Sequence, residues 1–249
     1  DRCPQCKAED FQFRGWGTQQ VEDYLLSHFP GIRVLRADAD SVTGRYDFEH
    51  ILKKFHRHEY DILLGTQMIA KGLDFEKVEL VGVILADVGL NLPDFRSEER
   101  VFQLLTQVSG RAGRRKKQGK IVLQTYHPEE KIFEYVRHND VEGFVAAQLD
   151  YRREVQMPPF SHLAKVTFSH SDKHKAFTEA KRFYERSRKD KKGSISDIHF
   201  APAFFPKSHK KYHFHVVLKA SEKSALIHFL RQYSFSDLAR IDLDPVSVL

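Results

Sequence analysis

The sequence predicts an α/β protein: a parallel sheet with helices on both faces, followed by a smaller α+β domain of ferredoxin-like β-α-β-β-α-β order. Over residues 1–150, short apolar runs typical of strands alternate with segments whose apolar residues recur at helical spacing. Such alternation favours parallel strands with helices on the two faces. After Met157-Pro158-Pro159 the pattern changes, so we place a domain boundary near residues 150–160.

The predicted elements of the first part support the parallel sheet. We predict strands over residues 11–15, 32–35, 61–64, 80–86 and 121–123, and helices over 17–29, 46–58, 98–108 and, as two pieces, 129–151. In the helix over 46–58, apolar residues such as Ile51 and Phe55 lie on one face. The run over 80–86 is almost continuously apolar, which is expected of a strand covered on both faces.

The elements of the second part predict a different layout. We predict strands over residues 163–168, 195–200, 212–218 and 239–243, with helices over 174–184 and 222–233. Ala176, Ala180 and Phe183 form an apolar stripe on the first helix, and Ser221 is placed to cap the second. The order β-α-β-β-α-β is the ferredoxin-like arrangement.

Composition excludes several classes of protein. With 41% hydrophobic residues the chain can bury a core, and no run approaches the roughly 18–20 apolar residues of a membrane span. Its two cysteines rule out a disulfide framework and suit a reducing cytoplasm. The polar start at Asp1, close to Cys3, shows no secretory signal and suggests a piece cut from a longer protein.

The most informative short segment is residues 107–114, Gln-Val-Ser-Gly-Arg-Ala-Gly-Arg, which follows a predicted helix. Arg111 and Arg114 are three residues apart, so a helical turn or loop would project both side chains the same way. A guanidinium donates two parallel hydrogen bonds to a phosphate, and Gly110 lets the backbone approach a ligand closely. The alternative is a basic, solvated loop before a strand.

A second candidate phosphate-binding segment, residues 65–75, begins where the predicted strand over 61–64 ends. In open α/β sheets, ligands bind beyond the carboxyl ends of the strands. Gly65 and Thr66 would offer a backbone N–H and a hydroxyl to a phosphate at this position. The alternative is an ordinary strand-to-helix turn capped by Thr66.

The net charge of +6 is concentrated in two basic runs and allows a polyanionic partner. The first run covers residues 111–120, and the second consists of Lys207, Lys210, Lys211 and Lys219. Neutralisation of phosphates by such side chains dominates non-specific affinity for nucleic acids. We therefore expect Lys207, Lys210 and Lys211 to contact DNA, the alternative being a solvated surface.

Aromatic and histidine residues are interleaved with the second basic run. Any of Phe204, Phe205, Tyr212 and Phe214 that is exposed would stack on bases, although burial in the core is the commoner outcome for such residues. Alternation along the strand places Tyr212 and Phe214 on the same face. His209, His213 and His215 form the densest histidine group. Solvated or hydrogen-bonded histidine is favoured over a metal site, because no carboxylate or thiol accompanies them.

Together, residues 65–75 and 107–114 resemble motifs V and VI of superfamily 2 helicases. The intervening stretches, residues 87–89 and Pro93-Asp94-Phe95-Arg96-Ser97-Glu98-Glu99-Arg100, narrow the resemblance to the PriA family of replication-restart helicases (primosomal protein N′). The resemblance covers nearly the whole chain. Residues 15–22 resemble the family's entry to the second helicase lobe, although Gln19 stands where the family often has an acid.

The resemblance implies a RecA-like helicase lobe 2 over residues 15–150, a C-terminal domain over 151–249 and a remnant of a zinc-binding region over 1–14. Cys3 and Cys6 would then be half of a four-ligand Zn²⁺ site. A redox pair and free thiols are the alternatives. Because the partner cysteines are absent, we expect free thiols or an incomplete site in this chain, and zinc in the parent protein.

The resemblance also implies roles for the motif residues. Arg111 and Arg114 would reach the phosphates of Mg²⁺-bound ATP across the cleft between two lobes, with Arg114 as the arginine finger. Gly110 belongs to the same phosphate site, Gln107 would place the nucleotide or couple it to DNA, and Asp74 would couple DNA to the nucleotide cleft. The residues implied to contact the tracking DNA strand are Gly65, Thr66, Gln67 and Lys71.

The implied protein is an ATP-dependent 3′-to-5′ DNA helicase in the bacterial cytoplasm, associated with the nucleoid. Its implied partners are forked or single-stranded DNA, the single-strand-binding protein and other primosome proteins. We expect no membrane partner and a monomer, although the sequence does not determine the oligomeric state. The chain contains no Gly-x-x-x-x-Gly-Lys-Ser/Thr motif and no Asp-Glu-x-His motif, so we expect it to be inactive as an ATPase by itself. The alternatives are a superfamily 2 repair or recombination translocase, or a non-catalytic nucleic-acid-binding module.

Overall fold

The structure, a computed structural model, describes residues 17–38, 45–70, 78–109, 120–191 and 193–249. The described residues of 1–87 and 101–129 form one unit, and those of 88–100 and 130–249 form a second. Residues 88–100 and 130–150 thus group with the C-terminal residues, whereas the resemblance places these two segments in lobe 2. The predicted domain boundary between residues 150 and 151 stays a prediction. No helix in the described ranges is long and apolar enough to cross a membrane.

The first part of the chain contains four α-helices and four strands in its described residues, besides the 3₁₀ helix Ala86–Gly89. They are α1 (Thr18–His28), β1 (Val34–Ala37), α2 (Arg45–His56), β2 (Ile62–Gly65), α3 (Gln67–Ala70), β3 (Leu80–Val83), α4 (Ser97–Ser109) and β4 (Lys120–Leu123). These bounds lie within a few residues of those predicted from periodicity, apart from the short helix α3, which had no predicted counterpart. The predicted strand over 11–15 lies outside the described residues.

Strands of the first unit pair in parallel, as predicted. β1 pairs with β2, so that Ala37 lies opposite Gly65, and β3 pairs with β4, so that Val83 lies opposite Leu123. The prediction that residues 80–86 form a strand covered on both faces is wrong for the described residues. β3 ends at Val83, and its alternate residues Leu80 and Gly82 are open to solvent, with Leu80 61% exposed.

The second unit carries the remaining helices and strands of the described chain. They are α5 (Lys131–His138), α6 (Val141–Glu154), β5 (His162–His170), α7 (Lys173–Asp190), β6 (Asp197–Ser208), β7 (Lys211–Ala220), α8 (Lys223–Leu230) and β8 (Ala239–Leu243). Asn139, in the left-handed region at φ 51°, ends α5, and the carboxylate of Asp140 caps α6 by accepting from Gly143 N at 2.8 Å. The predicted segment 129–151 is therefore two helices.

Strands β5 to β8 form one antiparallel sheet in the order β6-β7-β5-β8. Alternate residues of its two central strands, such as Val166 and Val216, are fully buried against α7 and α8. Helix α7 contributes Ala180 to this core and α8 contributes Leu226. Burial of one sheet face by two helices is the main source of stability in this unit.

The ends of α7 and α8 differ from the sequence prediction. The N-cap of α8 is Glu222, with no side-chain hydrogen bond, so the predicted cap at Ser221 is wrong by one residue. Helix α7 is capped by Asp172, whose carboxylate accepts from His174 N at 2.8 Å. It continues to Asp190, beyond the predicted end at 184, because polar residues extend a helix once its apolar stripe is anchored.

Candidate nucleotide and nucleic-acid interface

Gly65 ends β2 at a point where two backbones come unusually close. A Cβ atom at this position would overlap the carbonyl oxygen of Ala37 on β1 and would lie 3.0 Å from Cγ2 of Ile69. Only glycine fits without a shift of the backbone. Gly65, predicted to bind phosphate, is therefore also required by packing.

Thr66 and Gln67 follow immediately and are both exposed. The carbonyl of Thr66 accepts from Ile69 N at 3.1 Å and Gln67 begins α3, so the chain turns sharply at the carboxyl end of the parallel pair. This is the edge of a parallel sheet at which ligands bind. Lys71 and Asp74, predicted to extend the site, lie outside the described residues.

A network of polar side chains that was not predicted from the sequence surrounds the carboxyl end of β1. Asp38 is only 4% exposed; it accepts a hydrogen bond from Thr18 Oγ1 and lies 3.0 Å from Nε of Arg36. The Arg36 guanidinium also contacts Glu22, at 3.0 Å, and Gln19 on α1. These contacts fix the N-terminus of α1 beside the strand end that precedes Asp38.

Gln107 lies on the last turn of α4, with its side chain exposed. The helix buries Val101, Leu105 and Val108 on its other side, so its position is set by packing and Gln107 is left accessible. Gly110, Arg111 and Arg114 lie outside the described residues. Their proposed contacts with ATP therefore stay predictions.

Asp87 is a buried carboxylate that links the chain after β3 to the chain after β4. It accepts from Thr125 Oγ1 and from Tyr126 N at 2.9 Å. Burial favours the protonated form, but these hydrogen bonds outweigh it and lower the pKa of Asp87. The ionised side chain fastens the two strand ends together, so its role here is structural.

The three predicted DNA-contacting lysines lie together on the hairpin formed by β6 and β7. His209 and Lys210 have positive φ of 48° and 63° and form a two-residue turn between Ser208 and Lys211. Lys207 lies over the ring of Tyr212 at 5.1 Å, and all three lysines are exposed. The hairpin thus gathers positive charge at one tip.

The histidines of this region take part in hydrogen bonds with hydroxyl groups. His213 lies 2.7 Å from Oγ of Ser169 and His215 lies 3.0 Å from Oγ1 of Thr167. Within the described ranges, no group of three or more His, Cys, Asp or Glu side chains is placed to hold a metal ion. Cys3 and Cys6 lie outside those ranges, so the zinc site stays a prediction.

Comparison with known proteins identifies the family. Residues 14–116 match the family described as helicase conserved C-terminal domain. The chain is 48% identical over 180 residues to the replication restart protein PriA of Bacillus subtilis, covering 72% of this chain and 22% of the relative. It is 35% identical over 253 residues to PriA of Rickettsia conorii, covering 98% of this chain and 38% of the relative.

The chain belongs to the PriA family. A third relative, PriA of Borreliella burgdorferi, is 35% identical over 224 residues, or 90% of this chain and 34% of the relative. The chain thus spans between about a fifth and two fifths of the length of these relatives and represents the C-terminal part of a PriA protein.

Residues 93–100, on which the resemblance to the PriA family partly rests, form hydrogen bonds with residues 246–248. The Asp94 side chain is fully buried and accepts from Ser247 Oγ at 2.5 Å, Arg96 N at 2.9 Å and Val248 N at 3.2 Å. Arg100 donates to the carbonyl of Val246 at 3.0 Å. Residues 93–100 and 246–248 therefore form one polar cluster.

A second contact of the PriA segment involves Arg152, which is nearly buried on α6. Its guanidinium lies 2.7 Å from the Glu99 carboxylate and donates to the Phe95 carbonyl at 3.3 Å. It also lies over the Phe95 ring at 5.3 Å. Arg152, which the sequence placed near a junction between domains, thus anchors residues 93–100 to α6.

Proposed function

We propose that this chain is the C-terminal part of an ATP-dependent DNA helicase that restarts stalled replication forks and assembles the primosome. The observation that carries the proposal is its similarity to PriA proteins over most of its length, with the helicase segments 65–75 and 107–114 in family order. Translocation in the 3′-to-5′ direction is part of the proposal.

We infer that the first unit is a RecA-like lobe and that the C-terminal sheet is ferredoxin-like. Parallel pairing of β1 with β2 and of β3 with β4 supports the first inference. The antiparallel order β6-β7-β5-β8, with two helices on one face, supports the second. A RecA-like lobe contributes to ATP hydrolysis only when it faces a partner lobe.

In this proposal the ATP site is shared between this chain and a P-loop lobe. Arg111 and Arg114 hold the phosphates of Mg²⁺-bound ATP, with Arg114 offsetting charge that develops on the γ-phosphate. Gln107 is exposed on the last turn of α4, which supports such a role, and α4 ends at Ser109, immediately before Gly110. Asp74 links this site to the DNA-contacting segment.

DNA contacts in the proposal come from two surfaces. Exposed Thr66 and Gln67, with Gly65 and Lys71, meet the backbone of the tracking strand at the carboxyl end of β2. The lysines of the β6–β7 hairpin, Lys207, Lys210 and Lys211, neutralise phosphates elsewhere on the DNA. The absence of acidic residues between Asp197 and Glu222 in the sequence favours this second surface.

We also propose a zinc site, protein partners and a cellular location for the parent protein. Cys3 and Cys6 supply two of four Zn²⁺ ligands in the parent protein. The single-strand-binding protein and other primosome proteins are the proposed protein partners, and the parent acts as a monomer. Work on the chromosome would place it in the bacterial cytoplasm, associated with the nucleoid.

Replacement of Arg114 tests the proposed ATP site. In the full-length parent, Arg114→Ala should lower DNA-stimulated ATP hydrolysis by at least about a thousandfold, because an arginine finger contributes about 10³–10⁵ in rate. DNA affinity should stay within about twofold of the parent. The assay is steady-state phosphate release with single-stranded DNA, beside an anisotropy titration of the same DNA.

The 249-residue chain alone is the control for the proposal that the ATP site is shared with a P-loop lobe. It should bind DNA and release no phosphate above background. DNA-stimulated hydrolysis by the isolated chain, abolished by Arg114→Ala, would contradict the shared site. A full-length Arg114→Ala protein with ordinary activity would contradict the arginine-finger role.

A further inference from the structure

An exposed pair of aromatic rings lies where β6 leaves the sheet. The pairing of β6 with β7 is regular up to Pro202 and resumes at Lys207, and the four residues between them bulge out of the ladder. Phe204 is 44% exposed and Phe205 is 70% exposed, and their rings meet edge to face with centroids 5.0 Å apart. Contiguous exposed apolar surface, unlike a single exposed side chain, is typical of interaction sites.

An aromatic groove runs beside this bulge, between the hairpin and the start of α7. Its cavity of about 610 Å³ falls within the range of about 300–1,000 Å³ typical of small-ligand sites. Within it the rings of Phe200 and Phe214 are nearly parallel, at 6° with centroids 6.0 Å apart. The residues that matter for its chemistry are Lys173, Phe177, Phe200, Phe204, Tyr212 and Phe214.

The charge around the groove is positive. Residues 198–221 contain no acidic side chain, and Lys207 and Lys211 flank the aromatic segment along the two strands. Asp172, the N-cap of α7, is a carboxylate near one end of the groove, and it accepts hydrogen bonds from the backbone at the helix N-terminus. A flat apolar surface with a cationic rim fits a ligand that has planar rings and a polyanionic backbone.

We propose that the bulge and groove, residues 203–206 with Phe177 and Phe200, bind unpaired bases of single-stranded DNA by stacking. The proposal rests on the proposed DNA-binding function and adds the part of the DNA that is recognised. Every base has a face on which a phenylalanine ring can stack, so such a site is tolerant of sequence. Bases in a duplex are already stacked, so the site distinguishes single strands from duplex.

The test uses the 249-residue chain and two labelled DNAs of equal length, an oligo(dT) strand and a blunt duplex. The double variant Phe204→Ala/Phe205→Ala should weaken oligo(dT) binding by about fivefold or more, since stacking of one base contributes at least that factor. Duplex affinity should change by less than about twofold. Tyr151→Ala, which removes a 58%-exposed ring on α6, is the matched control and should change neither.

Replacement of the hairpin lysines separates this inference from the proposed function. Lys210→Ala/Lys211→Ala should weaken both DNAs and reduce the steepness of their salt dependence, because each phosphate that is no longer neutralised lowers the slope by about 0.7–0.9. The aromatic variant should leave the slope unchanged. A 2-aminopurine base within the oligo(dT) should change its fluorescence on binding the unmodified chain, and should not do so with the aromatic variant.

The affinities of the unmodified chain and its variants for the two DNAs distinguish base stacking from the alternatives. Unchanged oligo(dT) affinity in the aromatic variant overturns base stacking, even if the lysine variant confirms DNA binding. Failure of the unmodified chain to bind either DNA overturns both proposals. If an acidic peptide bound the unmodified chain but not the aromatic variant, while oligo(dT) affinity stayed unchanged, the groove would be a protein-binding site. An unchanged unfolding midpoint confirms that the variant is folded.

Discussion

At the scale of single residues, one carbonyl oxygen explains why position 65 is glycine. The Ala37 carbonyl of β1 occupies the space that a side chain at position 65 would need. The same residue begins a segment whose sequence resembles a DNA-contacting helicase motif. A glycine of this kind is constrained first by packing, and its presence alone does not establish phosphate binding.

Gly65→Ala should destabilise the first unit by about 1–3 kcal/mol, because a methyl group forced into a packed site displaces the backbone. Urea unfolding of the chain, followed by circular dichroism, measures the change. Gly82→Ala is the matched control, since a Cβ on Gly82 in β3 meets no atom within 4 Å. Equal stability of the two variants would show that β1 and β2 separate easily at this point.

The surroundings of His215 lower the pKa of its side chain, which should make the stability of the protein depend on pH. Burial lowers the pKa of its imidazole to about 4, with further contributions from the charges of Lys165 on β5 and His213 on β7. In an unfolded chain, histidine titrates near pH 6.5. The native protein therefore holds a neutral His215 at a pH where the unfolded chain binds a proton.

Stability should fall as the pH is lowered from about 6.5 to about 4, because the unfolded chain takes up the proton first. Because folding lowers the pKa of His215, its full contribution to the free energy of unfolding is present at pH values above the pKa in the unfolded chain. This contribution is lost as the pH falls from that value towards the pKa in the folded protein. The loss can reach about 3 kcal/mol. Unfolding midpoints at pH 7, 6, 5 and 4 measure it.

His215→Gln should flatten this profile, and His228→Gln, on the exposed side of α8, should not. Parallel profiles for the unmodified chain and the His215→Gln variant would show that His215 does not carry the pH dependence. Any further loss of stability below pH 4 has a separate cause, the protonation of buried carboxylates such as Asp94, whose pKa is lowered.

At the scale of elements, hydrophobic periodicity predicted the position of nearly every described helix and strand. β5 and β7 alternate in sequence, and the same residues alternate between core and opposite face in the structure. Element ends were predicted less well. β6 continues beyond the predicted residue 200 because backbone pairing with β7 resumes at Lys207, after the bulge. Pairing of this kind has no local pattern in the sequence.

At the scale of the whole molecule, contacts between distant residues define the second unit. Asp94 and Ser247 are 153 residues apart, yet they share a hydrogen bond of 2.5 Å within one polar cluster. In the sequence, residues 93–100 served only as a family marker, and no role was predicted for Ser247. Neither periodicity nor motif spacing relates two segments so far apart, so this part of the arrangement was not predictable.

Ser247→Ala should destabilise the second unit by roughly 1.5–3 kcal/mol, because it removes a hydrogen bond to an ionised and fully buried carboxylate. Thermal unfolding of the chain monitors the change. Ser224→Ala, at an exposed position of α8, is the control and should be neutral or slightly stabilising. A midpoint for Ser247→Ala equal to that of the control would show that the terminus is not tied to Asp94.

Among the described strands, β6 has a neighbour on one side only, so its other side presents free backbone donors and acceptors to solvent. An open strand of this length, 12 residues, is a template on which a second chain can add a strand and begin aggregation. Pro202 and Pro206 lack an N–H and cannot complete such a ladder, and Lys207 adds repulsion between copies. The irregular segment that exposes the aromatic rings therefore also protects the protein from association through its own sheet.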